Sequence, residues 1–503
     1  MRKFEMSEYK KFTKDTIIIG LTSLFSKIRG IIFIAVIAKS LGASAYGVYS
    51  ILMATVQLVV PISSLGMRPT MIRFLAGERD NKKIREGYYS ILFLTSVTSL
   101  CSSLIMLFSA PVLASTVFGD SQATPVIQVG AFLIFMQTIN GISYTFFQTF
   151  RKMHIFSFFN LSQNIGDTIL AILLVWNNFG LIEIIYSFLI IRLILFVTAS
   201  LLIYRSIKIC PPRISILRQF LSFGTPLASL SISGRIIRLF DRYMIGFFLN
   251  STAVGIYSAA YGIGAILTMF MEVPRAVLVP TVSKLWEERR INELMNHFKF
   301  TLKYFLMISI PSIFGLAALS ESILTIMTTS EFISQGHLII PIIAIAVMFY
   351  YATYVLFGLI FMLVKKTQIN ASLLAIGAIL NIILNIILIP YFQSNYNYGI
   401  MGAAIATFIS FFTIGIATVV LSRKYFTFEI EKSFILKSVI SASLMAVLVY
   451  KIRVNTFPEI FIPISVGAIF YFILLFIFRA FSEKEIKFFK EILISAKSKF
   501  LRI

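Results

Sequence analysis

Apolar runs of about twenty residues, separated by short polar segments, occupy almost the whole chain. They fall near 15–39, 46–66, 88–112, 124–149, 156–176, 181–203, 219–248, 253–280, 300–320, 337–363, 369–389, 399–421, 434–451 and 460–478. The runs are continuous rather than alternating, so the pattern predicts helices and not strands. A lipid interior offers no partner to a free backbone amide, which reinforces the helical reading. The expected fold is an all-α polytopic membrane protein with about fourteen transmembrane helices. Pro274 and Pro280 are expected to kink the eighth run. The polar intervals are too short to hold a sizeable soluble domain.

The pattern repeats itself. Ser23–Ser50 aligns with Ser231–Ser258 at one constant offset and without gaps. Leu41/Leu249, Gly47/Gly255, Tyr49/Tyr257 and Ser50/Ser258 are identical pairs, and Lys27 falls opposite Arg235. Weaker echoes follow in order: Arg151-Lys152 with Lys365-Lys366, Ile165-Gly166 with Ile376-Gly377, and Phe179-Gly180-Leu181 with Tyr398-Gly399-Ile400. Each copy holds six spans, so both copies begin on the same side of the membrane. Parallel repeats of this kind characterise alternating-access transporters, with the site between the halves near mid-membrane. The expected organisation is a first lobe over 1–204 and a linker over 205–218 that carries Cys210-Pro211-Pro212. A second lobe over 219–423 follows, then two further spans and a basic tail over 424–503.

Charge orients the chain. The net charge is +23, yet charged residues make up only 13% and hydrophobic residues 58%. Most Lys and Arg lie at the termini and in alternate loops, among them 67–87, which includes Arg68, whereas the opposite loops hold only Lys39, Lys451 and Arg453. That asymmetry is the positive-inside pattern, not a nucleic-acid surface. It predicts a multi-pass protein of the cell membrane with both termini cytoplasmic and a basic face that meets anionic lipid headgroups. The charged opening MRKFEMSEYKKFTK precedes a span with no small-residue cleavage site, so no removed signal is expected. Cys101 and Cys210 stand on different elements, and no disulfide is expected.

The candidate chemistry is cationic. Arg235, Arg238 and Arg242 recur at helical spacing inside the seventh span, with Asp241 near enough to hold one of them. A charge at mid-membrane costs at least about 2.5–3.5 kcal/mol, so such residues usually face water or a partner. The cluster reads either as an anion site or as an ion-pair knot between helices, with Arg242 expected to snorkel outward. Lys27 lies on a small-residue stripe with Gly20, Ser23 and Gly30, which suits a cavity face; Arg29 and Arg192 are further candidates. Arg275 either joins them or snorkels to the interface. Asp167 is a charge partner, a coupling site or a helix–helix contact. Asn164, with Asn140, Asn160 and Gln163 nearby, and the pair Asn381 and Asn385 are candidate polar cavity walls, or interhelical hydrogen-bond glue. Tyr144, Tyr257, Tyr261, Tyr350 and Tyr351 are candidates for stacking on sugar rings. The three histidines, His154, His297 and His337, sit in loops or at span ends, so no metal and no cofactor are expected.

Three motifs carry a resemblance. LGxxxxGxYS follows the first span; DRYMIG leads to VGIYSAAY in spans seven and eight; NIILNIILIP precedes GIMGAAIAT in spans eleven and twelve. Over nearly its whole length the chain resembles polysaccharide flippases of the multidrug/oligosaccharidyl-lipid/polysaccharide transporter superfamily. The resemblance implies a V of two six-helix lobes with two appended helices. It implies a non-enzymatic flippase for a polyprenyl-(di)phosphate-linked oligosaccharide, with membrane lipids and glycan-assembly enzymes as partners. The rivals are a cation-coupled multidrug antiporter of the same superfamily, which wants carboxylates on its cavity wall, and a flippase for lipid-linked peptidoglycan precursor. A membrane glycosyltransferase or polymerase is the remaining alternative, and its catalytic loops are not evident here.

Overall fold

The computed structural model describes residues 2–483 and residue 485; side chains are described from Arg29 onward, except those of 229–231, 272–274, 276 and 277. Among these residues the regular structure is helical throughout. The helices are α1 (Arg2–Ser64), α2 (Met67–Leu75), α3 (Asn81–Thr116), α4 (Thr124–Thr149), α5 (Met153–Trp176), α6 (Leu181–Ile207), α7 (Leu217–Phe248) and α8 (Ser251–Gly264). They continue as α9 (Met269–Glu287), α10 (Ile291–Met327), α11 (Ser330–Phe349), α12 (Leu356–Leu363), α13 (Thr367–Tyr396), α14 (Gly399–Ser422), α15 (Lys432–Tyr450) and α16 (Phe461–Ile477).

Twelve helical segments among the described residues are long and apolar enough to cross a membrane, so the chain is a multi-pass membrane protein. The expected fourteen differ from this count for identifiable reasons. The first two expected spans run together in α1 and meet at Gly42, whose φ of 82° breaks the helix where a side chain would be strained. The charged α7 is not among the twelve. The eighth span also breaks elsewhere than expected. A short 3-10 turn, Ala265–Thr268, divides α8 from α9, and α9 runs on through Pro274 and Pro280. A π-helical segment, Tyr350–Val355, joins α11 to α12.

Contacts build two groups of helices. In the first half α3 packs on α4, α4 on α6, and α5 on α1 and α6; in the second α13 packs on α7 and α14, and α11 on α8, α10 and α14. Helices α15 and α16 pair with each other and attach through α10. The halves meet where α1 crosses α8 and α7. The repeat is visible at that crossing. A Cβ on Gly47 would lie 1.8 Å from the Ser251 carbonyl oxygen, and one on Gly255 would lie 1.9 Å from that of Ala43. Ala43 and Ser251 correspond at the same offset that relates Gly47 to Gly255, so the two contacts are copies of one another about a local two-fold. Close approach of this kind, through small residues, is how helices associate in lipid. The Ser44 and Ser251 hydroxyls add a hydrogen bond at 2.8 Å.

A second backbone contact closes the other end. Gly66, at φ +70°, would bring a Cβ within 2.0 Å of the Gly224 carbonyl oxygen, so the start of α2 rests directly on α7. The rings of Phe74, Phe220 and Phe223 flank it.

The Gly47 crossing yields a symmetric test. Gly47→Ala and Gly255→Ala each force backbone apart and are expected to cost about 1–3 kcal/mol, lowering the unfolding temperature of the purified protein by similar amounts. A neutral effect of either would contradict the crossing.

Candidate functional site

The two halves hold their arginines differently. In the first, Asp167 of α5 is enclosed, with 1% of its side chain exposed, between two guanidiniums. Arg192 of α6 donates Nη1 to Oδ1 at 3.0 Å and Nη2 to Oδ2 at 3.2 Å. Arg29 of α1 donates Nη2 to Oδ2 at 3.2 Å. Asn164 and Thr168, one turn apart on α5 and flanking Asp167, accept from Arg29 Nη1 and Nε at 3.1 and 3.2 Å. The Gln137 side chain of α4 accepts from Arg192 Nε at 3.0 Å and from Gln163 at 3.2 Å. One carboxylate thus ties α1, α5 and α6 together and leaves one positive charge over. Arg192 is closed off, whereas Arg29 keeps 20% of its side chain exposed and sits 5.1 Å from the centre of the Phe33 ring.

In the second half, Asp241 of α7 takes a hydrogen bond from Arg242 Nη1 at 2.9 Å and from the Tyr257 hydroxyl at 2.5 Å. Arg242 lies over the Tyr261 ring at 4.7 Å. It is buried, at 8% exposure, and does not snorkel outward as expected: its carboxylate partner and the ring of α8 hold it inside. Asp241 therefore engages the residue next to it rather than Arg238. Arg238 is exposed and lies within reach of the Tyr350 hydroxyl. Arg235 reaches across the lobe boundary and donates Nη1 to the Gln57 carbonyl of α1 at 3.2 Å. At this depth the ion pairs among the described residues are Arg29–Asp167, Arg192–Asp167 and Arg242–Asp241. Two carboxylates against the six described arginines of the sequence reading leave four positive charges.

Between the halves lie two adjoining cavities. One, of about 330 Å³, is walled by Arg29, Gln57, Arg242, Ser258 and Tyr261 among others. The other, of about 350 Å³, is walled by Gln57, Arg238, Arg242, Tyr261, Tyr350 and Tyr351. They share Gln57, Leu239, Arg242, Tyr261 and Ala265, so they form one space across the lobe boundary. Volumes of this order are typical of small-molecule sites. No Asp or Glu lines either cavity among the described residues. The π-helical turn delivers Tyr350 and Tyr351 to the wall; such turns are rare and recur at functional sites.

The structure brings some of the expected residues together and not others. Arg29, Arg238 and Arg242 face the cavities; Arg235 is held at their edge by Gln57. Arg275 is exposed, and its charge acts on Tyr350 and Tyr354. Arg192, Asp167 and Asn164 stand behind Arg29 and line neither cavity. Asn381 and Asn385 also line neither. They are buried on α13, where Asn385 Nδ2 donates to the Asn381 carbonyl at 2.8 Å and to its side chain at 3.1 Å. Their face of α13 packs against neighbouring helices rather than the open space. The Lys27 side chain lies outside the described residues, as does that of Glu272, which with Asp167 and Asp241 is one of the three acids in the interior of the expected spans. Tyr144 stacks on Phe159, and Tyr257 is fully buried. Sequence reading missed Gln57 and Gln137, uncharged residues with no motif, and grouped Arg68 with the surface charges of a basic loop.

A family described as polysaccharide biosynthesis protein matches residues 12–286. That is more than half of the chain, and the chain belongs to this family. It is similar to the probable low-salt glycan biosynthesis flippase Agl15 of Haloferax volcanii, 22% identical over 90% of this chain and 92% of the relative. It also matches the probable flippase AglR of Haloferax volcanii, 28% identical over 48% of this chain and 51% of that one. Among solved structures it shares the fold of the lipid II flippase MurJ in an inward closed conformation, with a TM-score of 0.72, 22% identity, and coverage of 92% and 98%. An inward-facing multidrug resistance MATE transporter of the MOP superfamily matches at a TM-score of 0.64 and 14% identity, covering 80% and 97%.

The knot around Asp167 predicts a specific pattern of stability. Asp167→Leu strands two guanidiniums and is expected to cost about 3–5 kcal/mol. Adding Arg192→Leu is expected to recover part of that loss. Thermal unfolding of the purified protein measures both, and a double variant no more stable than the single one would contradict the pairing.

Proposed function

We propose that this member of the polysaccharide biosynthesis family is a flippase for a polyprenyl-phosphate- or diphosphate-linked oligosaccharide. It carries its cargo across the cell membrane by alternating access and serves polysaccharide or glycoconjugate assembly. The observation that carries the reading is the cavity wall: Arg29, Arg238 and Arg242 with no carboxylate among the described lining residues. A phosphoryl group supplies the missing negative charge, and guanidinium forks match its oxygens while staying ionised at any physiological pH. Arg242 already spends its charge on Asp241, and Arg29 shares Asp167 with Arg192. Arg238, with Arg235 at the cavity edge, is left to contact the anion most directly. The tyrosines Tyr261, Tyr350 and Tyr351 offer faces to a sugar ring, and the apolar tail stays in lipid.

The moving parts in this proposal are the lobes 1–204 and 219–423, joined by 205–218, with 424–503 accessory to the second. Both termini lie in the cytoplasm, on the face that carries the basic loops. The Gly47–Gly255 crossing holds the far side shut, and the Gly66–Gly224 contact holds the basic side. Rocking of one lobe against the other opens them in turn. No bond in the cargo is made or broken. The names of Agl15 and MurJ, a glycan biosynthesis flippase and a lipid II flippase, support the same class of cargo. A multidrug antiporter for organic cations fits less well, because its cavity wants carboxylates.

The test is reconstitution into liposomes with a lipid-linked oligosaccharide and a readout of headgroup sidedness. Arg238→Ala and Arg235→Ala are each expected to slow translocation about tenfold or more, the worth of a charged hydrogen bond. Unchanged rates in both variants would remove the site, and export of organic cations without lipid movement would favour the antiporter.

A further inference from the structure

Arg68 is the charge that the cavity does not account for. Its place at the start of a basic loop reads as a surface residue, yet the side chain turns inward from α2. Its guanidinium lies against the backbone of α4: a Cβ on Gly141 would come within 1.6 Å of Arg68 Nη2. Only glycine at 141 leaves room for it. Arg68 Nη2 donates a long hydrogen bond to the Gln137 carbonyl at 3.4 Å, and Nε is shielded from solvent with no acceptor among the described residues. No carboxylate pairs with it among the described residues. Burial weighs on its charge most, and a second cation, Arg235, adds to that; burial weighs on Arg235 likewise, with Arg238 as the second influence.

Two like charges brought near each other, one with a sheltered N–H unsatisfied, are unfavourable unless something anionic visits them. Their position says when. Arg68 follows Gly66 by two residues, and Gly66 rests on Gly224 where the basic side closes. Arg235 reaches from α7 to the Gln57 carbonyl, and Gln57 lines both central cavities. The pair thus lies between the Gly66–Gly224 contact and the central space. Gln137 also connects Arg68 to the knot behind Arg29: its carbonyl receives Arg68 and its side chain receives Arg192.

We propose that Arg68 and Arg235 form a second phosphoryl-anion station, between the basic-side mouth and the central cavity, that receives the cargo's phosphate before Arg238 does. This rests on the anionic-headgroup reading above and deepens it. The station recognises a phosphate or diphosphate ester whether it belongs to a lipid or is free, since neither arginine reads the tail.

The experiment is calorimetric binding to the purified full-length protein, with two probes: farnesyl diphosphate and inorganic pyrophosphate. Arg68→Gln is expected to weaken farnesyl diphosphate binding about tenfold, and Arg68→Lys, which keeps the charge but loses the fork, to recover part of it. A thermal melt establishes that each variant is folded. Weakening of both probes in the same ratio assigns the station to the phosphoryl group alone; weakening of farnesyl diphosphate only assigns it to the lipid headgroup. A folded Arg68→Gln protein that binds both probes as the wild type does would overturn the station and leave the central cavity standing. A wild-type protein that binds neither probe would remove the anionic-headgroup reading itself, and the station with it.

Discussion

Positive charge held at mid-membrane without matching negative charge is the constraint on which this structure depends. Moving a guanidinium from water into hydrocarbon is costly, and a protein retains it only with an ion partner, a wet surface or a ligand. Among the described residues the partners run out. Asp167 serves two arginines, Asp241 serves one, and Arg235 and Arg238 pair with neither. The fold responds by placing the surplus along the boundary between its halves, where the cavities lie. Aromatic faces take a further share: Phe33, Phe188 and Tyr261 each lie against a guanidinium, an interaction worth about 0.5–2 kcal/mol depending on desolvation.

The same boundary explains the glycines. A transporter's lobes must touch closely enough to exclude water and yet separate. Backbone-to-backbone contact at Gly47–Gly255 and Gly66–Gly224 brings the halves together through few atoms, with the Ser44–Ser251 hydrogen bond beside the first and the Phe74, Phe220 and Phe223 rings beside the second. The two copies of the repeat provide the first contact twice over, as a symmetric pair. The second has no such partner among the described side chains, and it is there, on the basic side, that Arg68 and Arg235 stand. Charge and packing therefore mark one end of the pathway as different from the other.

Much of this was legible in the sequence. Apolar runs of spanning length, the alternation of basic loops and the Ser23–Ser50/Ser231–Ser258 alignment carried the helical membrane fold and its internal repeat, because hydrophobic length and lipid leave few solutions. The arginines of α7 announced themselves by standing in an apolar run. What stayed hidden depends on partners distant in sequence. Nothing in periodicity says that Arg29 and Arg192 share Asp167, since the three lie on separate helices. Nor does it say that Arg242 takes the carboxylate while Arg238 does not, or that Asn381 and Asn385 face α13's neighbours. Arg68 was obscured by its company: among the charges of 67–87 it looks like one more loop cation, and only the bare backbone of Gly141 on α4 shows why it turns inward. The π-helical turn at Tyr350 has no sequence signature at all.

The most direct measurement is a structure of the protein with a lipid-linked sugar diphosphate bound. The account predicts phosphorus density between the halves, with its oxygens in hydrogen-bonding distance of Arg238 and of at least one of Arg29, Arg235 and Arg242. Density for the phosphate elsewhere, with those guanidiniums still facing water or satisfied by protein groups alone, would contradict it.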